Sequence, residues 1–182
     1  MKKQLSLILS LCAIILFSAC DETETFDDRW KLDNEAQFLK IASDSEFYRL
    51  NSQSGKGFIM YKPIEEGNGA TPLFTDNVKV LYTGWYKNNW SEPDTYTDSR
   101  GNLIHNKVIF DSTNRSDIPA TFPVNGVVDG FRTALQNMKE GDKWQVWIPW
   151  NLGYGEVDNR GIRAYSTLVF ELELVEVVKT EQ

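Results

Sequence analysis

From Phe58 onward the chain alternates apolar and polar residues over several short stretches, the signature of half-buried β-strands. Phe58 to Ile64 predicts a strand that ends at the Gly67-Asn68-Gly69 turn. Val78 to Tyr86 predicts a second, with Val78, Val80 and Tyr82 on one face. Val108 to Ser112, Thr121 to Val124 and Lys143 to Ile148 follow; in the last, Trp144, Val146 and Ile148 share a side. Thr167 to Val178 turns Leu168, Phe170, Leu172 and Leu174 one way and Glu171 and Glu173 the other, as an antiparallel strand with one wet face does.

The period changes to that of a helix over Val127 to Lys139, where Val128, Phe131, Leu135 and Met138 form one stripe. Asp129 sits near its start, and Gly141 follows its end, where a left-handed residue is easiest. One amphipathic helix of this size covers one face of a sheet. Upstream, Asn34 to Ala42 predicts a short helix capped by Asn34, with Phe38, Ile41 and Ala42 on a face. Ser43 to Gly57 reads as a polar linker, which gives a helix-and-linker unit over 34–57. Asp21 to Asp28 reads as a solvated acidic tether, part of a segment over 20–33.

The first residues carry a different message. Met1-Lys2-Lys3 is a basic start, Leu5 to Phe17 an apolar run, and Ser18-Ala19 a pair of small residues before Cys20. This is a secretory signal over 1–19, too short and wrongly flanked for a lasting transmembrane helix. Phe17-Ser18-Ala19-Cys20 resembles a bacterial lipobox, which implies cleavage before Cys20 and a thioether-linked lipid on it. The expected location is the cell envelope, anchored in the outer membrane with a periplasmic or surface face. The alternative is an ordinary cleaved signal that leaves Cys20 as a free thiol. Cys12 lies in the apolar run, so no second cysteine remains to form a disulfide framework.

Charge narrows the partners. Lys and Arg total 19 against 26 Asp and Glu, and loss of Lys2 and Lys3 takes the net charge from −7 to −9 (17 − 26). No basic patch is visible, which argues against a nucleic-acid partner. The single histidine, His105, lies in a polar, turn-rich stretch. No Ser/His/Asp set, His/Cys metal spacing or Gly-rich phosphate loop stands out, so no cofactor or metal is expected. Tyr82, Phe110, Phe122, Phe131, Trp144, Tyr154 and Phe170 are the residues that could converge. On composition alone they are core.

The order of local motifs changes that reading. Val80-Leu81-Tyr82-Thr83-Gly84 is followed by Phe110-Asp111-Ser112-Thr113, then Pro119-Ala120-Thr121-Phe122-Pro123 and Val127-Val128-Asp129-Gly130-Phe131. Next come Ala134 to Asp142, Ile148-Pro149, Gly153-Tyr154-Gly155 and Ser166 to Leu174. In this order, and over the last two thirds of the chain, the series resembles the FKBP family of peptidyl-prolyl cis/trans isomerases.

The resemblance implies an α+β fold, a strongly bent antiparallel β-sheet wrapped around one short amphipathic helix, over 58–182. An insertion at about 87–106 would interrupt it, read either as a self-packed flap or as a partner site. The resemblance implies isomerase activity on proline-containing polypeptides during folding of exported proteins. Its catalytic residues would be Tyr82, Phe110, Asp111, Phe131, Tyr154 and Phe170, with Phe131 as the floor where the family usually has Trp. Val127, Val128 and Ile162 would bind substrate. A monomer is expected. Two other classes remain open: a catalytically weak FKBP-fold peptide-binding chaperone, and a glycan-binding or assembly lipoprotein that uses exposed tryptophans.

Overall fold

The computed structural model describes residues 25–114 and 118–179. The signal segment and the lipobox with Cys20 lie outside the described residues. Helix α1 (Phe26–Ala42) opens the fold, followed by strands β1 (Tyr48–Asn51), β2 (Phe58–Glu65), β3 (Asn77–Lys87), β4 (Thr95–Thr97), β5 (Leu103–His105), β6 (Lys107–Ser112) and β7 (Ala120–Pro123). Helix α2 (Asp129–Leu135), β8 (Lys143–Ile148) and β9 (Leu168–Val178) complete it. The main sheet runs β1-β2-β8-β9-β3-β6, and β7 pairs with the first half of β3. Every pairing is antiparallel. Register shifts at Lys79/Val80 and Gly84/Trp85 bend β3, as bulges do.

Strand alternation builds two apolar layers. On one face Val78, Val80, Tyr82, Val146, Ile148, Leu168, Phe170 and Leu172 pack with Phe131, Ala134 and Leu135 of α2. On the other, Met60, Trp85, Trp147 and Val169 pack with Phe38 and Ile41 of α1. Gly130 lets α2 approach the sheet, because a Cβ there would run into Ile148.

Helix α1 departs from expectation. It begins at Phe26, inside the stretch expected to be a solvated tether. Thr25 and Asp28 form a reciprocal capping box, and Asp27 and Asp28 face the positive end of the helix dipole. The acidic run is therefore in part a helix start. Asn34 is not the cap: it is fully buried in mid-helix. Nor is Ser43 to Gly57 a plain linker, since it contains β1, which pairs with β2. Helix α2 is shorter than its apolar stripe. Val128 takes an extended conformation at its start, and after Leu135 the chain turns so that Asp142 accepts from the backbone of Lys139 and Gly67.

The insertion folds as a hairpin of β4 and β5. Asn106 holds its base by donating to the carbonyls of Asn89, Glu92 and Pro93. Trp90 packs on Trp147 with centroids 5.4 Å apart and donates to Asn34 Oδ1. The exposed tryptophan platform expected for a glycan reader is absent among the described residues. Trp30, Trp85, Trp144 and Trp147 are buried, and the half-buried Trp90 and Trp150 each donate to a side chain of α1.

Candidate functional site

Aromatic packing between α2 and the sheet leaves a surface cleft of about 270 Å3. Its lining joins the sheet (Tyr82, Phe110, Phe122, Phe170), the start of α2 (Val127, Val128, Phe131) and the segment between β8 and β9 (Tyr154, Arg160). Phe131 is 5% exposed and lies at the centre of an edge-to-face cluster. Its ring meets Phe170 at 5.1 Å, Tyr82 at 6.1 Å and Phe122 at 6.5 Å, with interplanar angles of 79°, 81° and 77°. This geometry sets ring edges against ring faces, which the aromatic quadrupole favours. Phe110 continues the wall, contacting Phe170 at 5.5 Å and Tyr154 at 6.5 Å. Gly84 makes the wall possible: a Cβ there would lie 2.6 Å from the Phe170 ring and 2.7 Å from the Phe110 ring.

Two polar groups are fixed at the edge. The Tyr82 hydroxyl donates to Asp111 Oδ2 at 2.6 Å, and the Ser112 backbone donates to Oδ1 at 2.9 Å. Burial and then the bond to Asp111 push the Tyr82 phenol well above its ordinary pKa. Tyr154 is also raised, first by burial and then by the charge of Asp111, while Arg160 opposes the shift. Both phenols therefore remain protonated donors at neutral pH. Among the described residues, the Tyr154 hydroxyl has no hydrogen-bond partner in the protein, so it is free to donate into the cleft.

Of the residues singled out from the sequence, Tyr82, Phe110, Asp111, Val127, Val128, Phe131, Tyr154 and Phe170 come together at this cleft. Ile162 does not: it is 3% exposed and belongs to the core. The reason is a tight turn in which Asn159 and Ile162 exchange backbone hydrogen bonds at 2.8 Å. Arg160 and Gly161 take φ values of 47° and 86°, the pattern of a type I′ turn. The turn points Ile162 inward and leaves Arg160 at the cleft. Phe122, one of the aromatics expected to converge, also lines the cleft, whereas Arg160 and Gly126 were missed as site residues. The Asn159-Arg160-Gly161 sequence was the available turn signal, and Phe122 shares its strand's alternation with Ala120.

Among the described residues, no group of three or more His, Cys, Asp or Glu side chains could hold a metal ion. No described helix is long and apolar enough to cross a membrane.

Comparison with known proteins agrees with this fold. Residues 69–175 match the profile of the family described as FKBP-type peptidyl-prolyl cis-trans isomerase. The chain is 40% identical over 121 residues to the FKBP-type 22 kDa peptidyl-prolyl cis-trans isomerase of Escherichia coli, covering 66% of this chain and 50% of that one. It is 37% identical over 122 residues to the outer membrane protein MIP of Legionella longbeachae, covering 66% of this chain and 45% of that one. The chain thus spans about half the length of these curated relatives. A solved peptidyl-prolyl cis-trans isomerase from Pseudomonas syringae pv. tomato superposes with a TM-score of 0.64 at 25% identity, over 86% of this chain and 99% of that one. With the profile match covering the helix under the bent sheet and most of the sheet's strands, the chain belongs to the FKBP-type peptidyl-prolyl cis-trans isomerase family.

Proposed function

We propose that the protein is a peptidyl-prolyl cis/trans isomerase acting on proline-containing segments of exported or envelope polypeptides. The observation that carries this is a cleft floored by Phe131 beside an unengaged Tyr154 hydroxyl. An X–Pro bond resists rotation because its C–N bond is partly double, with a barrier of about 18–20 kcal/mol. As the amide twists, resonance and its charge separation are lost. A dry aromatic lining therefore favours the twisted form over the planar one. The prolyl ring would rest on Phe131, between Val127, Val128 and Phe170. Tyr154 would donate to a substrate carbonyl, and Asp111 would hold Tyr82 in the wall. No cofactor and no covalent intermediate enter this scheme.

The envelope location rests on the Phe17-Ser18-Ala19-Cys20 sequence and on the outer-membrane name of one relative. Lipidated Cys20 would tie the isomerase to the membrane, leaving the domain monomeric and facing exported chains. Palmitate labelling lost in Cys20→Ser would support the anchor.

The activity is tested by cis/trans exchange in a proline tetrapeptide, measured by NMR without a coupling protease. Phe131→Ala should remove most turnover. Tyr154→Phe should lower it about two- to tenfold, the scale of one hydrogen bond. Asp111→Leu should lower it through Tyr82. Wild-type rates in all three folded variants would refute the cleft as the site.

A further inference from the structure

We infer that Arg160 makes this cleft selective for prolines flanked by an acidic side chain. The inference rests on the isomerase reading of the cleft and adds its substrate class.

Asp111 and Arg160 are the charged residues among the described lining of the cleft. They differ in what is left to offer a ligand. Both carboxylate oxygens of Asp111 are already engaged, one by the Tyr82 hydroxyl and one by the Ser112 backbone. Arg160 has no hydrogen bond or ion pair among the described residues, although the chain carries 26 acids against 19 bases. It is exposed and close enough to Tyr154 for its charge to act on that phenol. Its backbone is held by the turn from Asn159 to Ile162, so the position of the guanidinium stem is set by the fold. A guanidinium with five free donors, rooted on that turn near Tyr154, matches a carboxylate one residue from the proline.

The test uses the full chain and blocked peptides that differ only in Glu, Gln or Lys at the residue before or after proline. Exchange spectroscopy gives kcat/KM for each. At low salt the best Glu peptide should exceed its Gln counterpart about two- to fivefold, the scale of one exposed ion pair. Its Lys counterpart should fall below both. Arg160→Gln should bring the Glu-to-Gln ratio to one, Arg160→Lys should keep it above one, and Arg160→Glu should invert it. High salt should shrink the wild-type ratio, because the screening length falls from about 30 Å at 0.01 M to about 3 Å at 1 M. A wild-type ratio of one, or a ratio that survives Arg160→Gln, overturns the inference. Absence of turnover on every peptide overturns the isomerase reading instead. Titration of the same peptides, followed by NMR shifts, then decides the charge preference by affinity alone.

Discussion

Replacing Asn34 by Ala removes a side chain that ties α1, the insertion and the head of β9 together. Asn34 is fully buried, and its Oδ1 accepts from the Thr167 backbone at 2.8 Å and from Trp90 Nε1 at 3.0 Å. Its amide donates to the Trp30 carbonyl at 2.8 Å. Truncation would leave two donors without partners, one of them on fully buried Thr167. An orphaned buried donor costs about 1–3 kcal/mol. The bond from Thr167 Oγ1 to the Asn34 carbonyl survives, which limits the total to about 2–4 kcal/mol. In a domain of this size the melting temperature should fall by about 5–15 °C. Urea unfolding should show a lower midpoint with an unchanged slope. Trp90→Phe supplies the control. It deletes one of the two stranded donors, so adding Asn34→Ala in that background should cost about 1 kcal/mol less than in the wild type. A loss under about 1 kcal/mol for Asn34→Ala, or strict additivity with Trp90→Phe, would refute the account of Asn34 as a structural hub.

Two further outcomes follow from the cleft. Gly84→Ala should cost about 1–3 kcal/mol, because its Cβ must displace the Phe110 and Phe170 rings, and it should slow peptide exchange. Wild-type melting and exchange together would contradict the close ring approach. Tyr82 has a folded pKa raised above its ordinary value near 10. The unfolded chain therefore loses this proton first, and the stability it contributes is present below pH 10 and lost as pH rises beyond it. Tyr82→Phe should flatten the alkaline limb of the stability profile, and an unchanged limb would count against the burial of the Tyr82 phenol and its bond to Asp111.

Much of this architecture was legible because it rests on local alternation. The strands that wall the cleft and the helix carrying Phe131 follow from apolar periodicity, and their order carried the family resemblance. What was illegible depended on contacts distant in sequence. Asn34 looks like a helix cap from its neighbours, and only Thr167 and Trp90 make it a buried polar residue in mid-helix. The acidic run before Trp30 reads as a tether until Thr25 and Asp28 are seen to cap each other. Ile162 fits a cleft wall by motif position, but the turn at Arg160 and Gly161 reverses which side chain the cleft receives. The insertion's aromatic content left a self-packed flap and a partner site both open. Its tryptophan points back to α1, as in the self-packed reading, because the other sheet face needs a cover as much as the cleft face does.

That second cover bears on the site itself. Side chains along a strand alternate between faces, so a strand residue at the cleft can have a chain neighbour under α1. Phe170 lines the cleft while Val169 packs with Phe38, Ile41 and Trp147. Gly84 lies under the aromatic wall while Trp85 joins the same outer layer. A shift of α1 against the sheet therefore moves the strands that position Phe170 and Gly84, without touching a cleft residue. The segment bearing Tyr154 and Arg160 is tied to the same helix, since Trp30 Nε1 donates to the Ala164 carbonyl and Trp150 Nε1 to Glu35. Helix α1 and the insertion thus brace the cleft from behind, and substitutions there should alter peptide exchange through the positions of its walls.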